Sequence, residues 1–116
     1  MVASVNVSLR ATATVQGIGP LFRMNIKLQN TSPGLLTGVT MSINTDESMY
    51  DVGAAVISAG LLVPGVPYTF STTVKCLTEE PVSGTVRVFV SHPPNPVPLI
   101  TVVVDMPVAE GVETVR

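Results

Sequence analysis

Cysteine, histidine and charge are all scarce in this 116-residue chain, and tryptophan is absent. A single cysteine, Cys76, cannot close an intrachain disulfide, so the fold has to rest on its core, and the compartment leans toward a reducing one. A single histidine, His92, excludes a multi-histidine metal site and leaves one imidazole to activate any serine or cysteine nucleophile. Charged residues are 12% of the chain, six basic against eight acidic, and they stand mostly singly. Nucleic-acid binding needs clustered Lys and Arg to neutralise phosphates, and no such cluster exists. Long apolar runs are missing too: Ala54–Ile57 and Val102–Val104 are far too short to span a bilayer. Met1 leads toward a strand pattern with no basic region and apolar core, so no signal peptide is expected.

What is abundant points one way. The 21 valines and 13 threonines carry β-branched side chains, which lose rotamer freedom in helices and pack well on pleated sheets. Ten prolines and nine glycines cut the chain into short pieces. No stretch of helical length keeps apolar residues at three- and four-residue spacing free of a breaker, whereas period-two alternation recurs throughout. At this length a single core buries about two-thirds of the unfolded surface. The expectation is one all-β domain over residues 1–107, with a frayed tail over 108–116. A mean hydropathy of +0.50 with so little charge suggests an excised domain whose apolar surface partly meets neighbours.

From Val5 to Val15 the odd positions are apolar and the even ones polar, which predicts a strand with one dry face. Gly17-Ile18-Gly19-Pro20 breaks it. Phe22, Met24, Ile26 and Leu28 then alternate with Arg23, Asn25, Lys27 and Gln29, predicting an antiparallel hairpin with the first strand. Asn30–Gly34 is a second turn, after which Val39, Met41 and Ile43 face inward. Short strands are expected at Met49–Val52 and Ala54–Ser58. Leu61–Tyr68 is the hinge of the chain: Pro64-Gly65 fits a type II turn, and the segments on either side are expected to fold back on each other. Beyond it, Tyr68, Phe70, Thr72, Val74 and Cys76 share a face, and Glu79–Gly84 is a loop. Val86, Val88 and Val90 form an inward row with Phe89 outward, and His92–Pro98 is an extended connector. Leu99–Met106, apolar on both faces, reads as a strand buried between a sheet and a further layer. Seven or eight short strands at this spacing indicate an immunoglobulin-like β-sandwich of two antiparallel sheets.

No enzyme site emerges, and neither cofactor nor metal is implied. His92 sits in a proline-rich connector and reads as a solvated loop residue. Cys76 continues an inward strand face and reads as a buried, inert thiol. Asp46-Glu47, Asp51 and Glu79-Glu80 lack the alternating spacing of a calcium loop. Gly17-Ile18-Gly19 is no phosphate loop, since no helix follows. Asn6-Val7-Ser8 and Asn30-Thr31-Ser32 are glycosylation sequons that matter only in a secreted chain. Arg10, Arg23, Lys27 and Arg87 could form a mildly basic sheet face able to hold acidic or phosphorylated peptides, against the plainer reading of a scattered solvated face.

Four separated blocks carry a resemblance: Leu9-Arg10-Ala11-Thr12-Ala13-Thr14-Val15-Gln16-Gly17-Ile18-Gly19-Pro20, Leu28-Gln29-Asn30-Thr31-Ser32, Leu61-Leu62-Val63-Pro64-Gly65 with Tyr68, and Met106-Pro107. Between Leu9 and Pro107 the chain resembles the C-terminal ear domains, γ-adaptin-ear-like (GAE), of the Bardet-Biedl syndrome 1 family, subunits of the BBSome; Pro33–Ala59 is not covered. The resemblance implies a non-catalytic interaction domain in a ciliary membrane-traffic coat, cytoplasmic and at the cilium or basal body. Its partners would be sibling subunits and short peptides of cargo or accessory proteins, with membrane contact only through the whole complex. Arg23 and Lys27 are the candidate peptide-binding residues, and Phe89 the candidate for packing against subunits. The alternative class is an immunoglobulin-like module of a cell-surface protein.

Overall fold

The computed structural model describes residues 2–4, 9–78, 84–92 and 98–107. They form nine strands: β1 (Val2–Ser4), β2 (Leu9–Gln16), β3 (Leu21–Asn30), β4 (Leu36–Asn44), β5 (Tyr50–Val52), β6 (Val56–Leu62), β7 (Pro67–Cys76), β8 (Thr85–Ser91) and β9 (Ile100–Asp105). Two antiparallel sheets face each other, a five-stranded one in the order β1-β9-β8-β4-β6 and a four-stranded one in the order β2-β3-β7-β5. The count exceeds the expected seven or eight because β1, too short to show a period, adds an edge strand to β9.

Alternation becomes layering. In β3 the row Phe22, Met24, Ile26 and Leu28 is buried, while Arg23 and Lys27 are exposed. In β4 and β8, Val39, Met41, Ile43, Val86, Val88 and Val90 supply the opposing half of the core. Each of the larger side chains contributes about 1.5–3 kcal/mol by leaving water. The β2–β3 hairpin is in full register from Leu9 opposite Asn30 to Gln16 opposite Arg23. Its turn uses Gly17 and Gly19 at φ of 115° and 87°.

Two expectations change and a third is made specific. The strand expected at Ala54–Ser58 starts at Val56 and runs on to Leu62, because Gly60 at φ 72° takes up a ladder irregularity against β4 instead of ending the strand. The segments flanking Pro64-Gly65 do fold back past each other, Ala54 bonded to Thr72 and Val63 to Tyr68, but without pairing: β6 lies in the five-stranded sheet and β7 in the four-stranded one, so the turn is a crossover between layers. The turn itself is as expected, with Gly65 at φ 79° and Val66 N–H donating to Val63 O at 3.2 Å. No further layer covers β9 among the described residues. Ile100 and Val102 are buried in the core, and on its outer face Thr101 and Val103 are half-buried between flanking strands β1 and β8. Val5–Ser8, Glu79–Ser83, most of the proline connector (93–97) and the tail 108–116 lie outside the described residues.

Asn30 holds the crossover. It is fully buried, and its amide donates to Gly34 O at 2.8 Å and to Leu62 O at 3.0 Å. Its Oδ1 accepts from Ser32 N–H at 2.9 Å, and its backbone carbonyl accepts from Gly65 N–H at 2.8 Å. Gln29 adds a bond from Nε2 to Gly65 O at 3.2 Å. One side chain thus ties the end of β3, the following turn and the end of β6 together.

A Cβ built on Gly65 would meet nothing within 4 Å, so substitution there costs conformational strain alone. Gly65→Val is expected to lose about 1–3 kcal/mol, read as a lower melting temperature; an unchanged melting temperature would contradict the turn. Cys76 is 5% exposed, with Sγ 3.5 Å from Thr78 Oγ1. Labelling of the native chain by a thiol reagent should be at least about tenfold slower than in denaturant, since a buried thiol waits for opening; fast stoichiometric labelling would place it at the surface.

Candidate interaction surfaces

Neither sheet encloses a cleft that gathers reactive groups. Among the described residues no three His, Cys, Asp or Glu side chains come together, and no helix is long and apolar enough to cross a membrane. His92 is half-buried just beyond β8. Asp46 is spent on local structure: its Oδ1 accepts from Ser48 N–H at 2.9 Å and from Ser48 Oγ at 2.6 Å, which holds its carboxyl below the usual carboxylate range. Asp51 and Glu47 line a crevice of about 540 Å³ walled by Tyr50, Val52 and Leu77.

Arg23 and Lys27 lie on the outer face of the four-stranded sheet, as their spacing in β3 requires. The cationic cluster differs from the one anticipated. Arg10 on β2 joins it, and so does Lys75 on β7, whereas Arg87 belongs to β8 on the other side of the sandwich. Cross-strand register surrounds the cations with uncharged polar groups: Arg23 lies between Gln16 and Thr73, and Lys27 between Thr12 and Thr69. Between them, Asn25 donates to Gln16 Oε1 at 3.1 Å and accepts from Ser71 Oγ at 2.7 Å. Arg10, Thr12, Lys27 and Gln29 line a shallow dimple of about 140 Å³. Asp51, opposite Lys75 in the ladder, is the acid that register places on this face.

Phe89 sits on the far side, half-buried on the outer face of the five-stranded sheet. In register it lies between Ser42 of β4 and Thr101 of β9, and Ser42 in turn is opposite Val56 of β6, which is 66% exposed. The two candidate surfaces therefore point in opposite directions, one cationic and hydroxyl-lined, the other with apolar positions among small polar ones.

A third feature went unpredicted. The sandwich is open along the flank where β6 and β7 run past each other. Ile57 and Ala59 of β6 and Tyr68 and Phe70 of β7 face the core but are only partly buried. The opening is closed at one end by Thr72, whose Oγ1 accepts from Ala54 N–H at 2.8 Å and donates to Ala54 O at 3.1 Å. At the other end Val63 N–H donates to Tyr68 Oη at 3.3 Å. One signal in the sequence marks this flank: from Val52 to Val74 there is no Asp, Glu, Lys, Arg or His.

These features define a β-sandwich that presents outer surfaces and an open flank rather than an enclosed cleft. The chain belongs to the family of the Bardet-Biedl syndrome 1 protein GAE domain, whose family pattern matches residues 9–112. It is 34% identical over 104 residues to the BBSome complex member BBS1 of Mus musculus and 35% identical over 104 residues to that of Homo sapiens. Both alignments cover 89% of this chain, which spans about 18% of the length of these relatives.

Proposed function

We propose that this sandwich is a non-catalytic interaction domain of a BBSome-type coat subunit, serving traffic of membrane proteins to and from cilia, with sibling subunits as its principal partners. The observation that carries the reading is the match over residues 9–112, which runs through eight of the nine strands and includes Arg23, Lys27 and Phe89. A cytoplasmic and ciliary location goes with it, as does contact with membranes only through the assembled complex. The cell-surface alternative loses one of its supports, because Asn30 is fully buried with its amide engaged and cannot serve as a glycan acceptor; Asn6 lies outside the described residues.

Within that function we favour packing against subunits through the Phe89 face. Half-buried Phe89 and exposed Val56 share a cross-strand row there, and apolar area of this kind is what stable interfaces bury. A second reading rests on Arg10, Arg23, Lys27 and Lys75, whose shared face suits the acidic flank of an extended peptide.

Charge reversal separates the two. Arg23→Glu with Lys27→Glu should leave the melting temperature nearly unchanged, since exposed strand charges contribute little. In titrations against the reconstituted complex, Phe89→Ser is expected to weaken capture by about tenfold or more and the double reversal by much less. The opposite ranking would favour peptide binding on the cationic face, and indifference to all three changes would remove both surfaces from the function.

A further inference from the structure

The open flank has features that select its occupant. Among the described residues β6 pairs with β4 and with no other strand, so it is an edge. Ile43 N–H donates to Ala55 O at 2.7 Å, and antiparallel alternation then turns Ile57 toward β4 and the N–H and C=O groups of Val56 and Ser58 away from it. The other edges are protected differently. β1 and β5 are three residues long, and β2 carries Arg10 and packs beside β9. β6 spans seven residues without a charge or a proline, the devices that ordinarily keep an edge from pairing.

From these observations we infer that β6 is a strand-addition site, where an uncharged extended segment of another subunit pairs with Val56–Ser58 and inserts alternate apolar side chains between Ile57, Ala59 and Phe70. This rests on the proposed role in a multi-subunit complex and names the chemistry of one contact. Unpaired backbone groups call for a strand, because a helix satisfies its own. Partly buried apolar side chains at alternate positions on β6 match the period of a strand laid beside them. The charge-free stretch from Val52 to Val74 offers an ionic group no counter-charge, so the segment is uncharged. The Thr72–Ala54 and Tyr68–Val63 hydrogen bonds bound the window, which accommodates about five residues at roughly 3.3 Å each. A second copy of this chain fits less well. Two-fold pairing about Ser58 would oppose Val56 to Gly60, whose φ of 72° departs from strand geometry.

The test is co-expression of this chain with the other members of the complex, followed by amide hydrogen exchange and two substitutions. Ser58→Pro removes an outward N–H and no bond to β4, so it should fold with nearly the wild-type melting temperature. Ala59→Lys places a charge in the opening and covers the case in which the proline variant fails to fold. On assembly, exchange at Val56 and Ser58 should slow by about tenfold or more, and folded Ser58→Pro or Ala59→Lys should be recovered in the complex about tenfold less than wild type. Wild-type recovery with no protection at β6 and undiminished recovery of the variants would overturn the inference and leave the proposed function standing. Self-association of the isolated chain abolished by Ser58→Pro would make the occupant a second copy and overturn it as well. Failure of the wild-type chain to assemble at all would remove both readings.

Discussion

The buried amide of Asn30 is the interaction on which the two-layer arrangement depends. A sandwich has little backbone hydrogen bonding between its sheets, so apolar packing holds the layers and something directional must fix where the chain crosses from one to the other. Asn30 does this by donating to Gly34 O in its own turn and to Leu62 O at the end of β6, while its backbone carbonyl receives Gly65 N–H from the crossover. The end of β3 in the four-stranded sheet is thereby bonded to the end of β6 in the five-stranded one. Every polar atom of such a group must find a partner, since an unsatisfied one costs about 1–3 kcal/mol. Among the described residues no buried side-chain nitrogen or oxygen is left without one.

Fixing the crossover in this way shapes the surfaces. Because β6 and β7 enter different sheets from one tight turn, they cannot pair with each other, and each presents an edge along the flank between them. Phe70 and Ile57 are then only partly buried, although alternation directs both inward. The same layering sends the two outer faces in opposite directions, so that Arg23 and Lys27 on β3 cannot act on the same partner surface as Phe89 on β8. A domain of this shape presents separate surfaces to more than one neighbour.

Period-two alternation made most of the layers readable from sequence: the inward rows of β3, β4, β7 and β8 are buried or partly buried, and the β2–β3 hairpin pairs as its turn residues imply. Where alternation fails, so did the reading. Gly60 looks like a strand end yet sits inside β6, because a positive φ can be absorbed by a ladder irregularity that only tertiary pairing determines. Pro64-Gly65 specifies a turn but not whether its flanks share a sheet. The candidate site was half visible: spacing put Arg23 and Lys27 on one face, but whether Arg87 or Lys75 completes that face depends on strand order, to which composition and periodicity are blind. Asn30 read as part of a sequon, and its burial follows from a position at the very end of β3 that local pattern does not distinguish from solvent.

Thermal unfolding of Asn30→Ala, with Ser32→Ala as the comparison, tests the account most directly. Loss of the amide leaves Leu62 O without its donor and Ser32 N–H without its acceptor, while Gly34 O keeps Ser32 Oγ at 2.8 Å, for an expected cost of about 3 kcal/mol or more and a fall of roughly 10 °C or more. Ser32→Ala removes the Ser32 Oγ bonds to Asn30 Oδ1 and Gly34 O but leaves Asn30 bonded to Gly34 O, Leu62 O and Ser32 N–H, and should cost less than about 1 kcal/mol. A melting temperature for Asn30→Ala within about 2 °C of the parent would contradict the claim that this side chain ties the two sheets together.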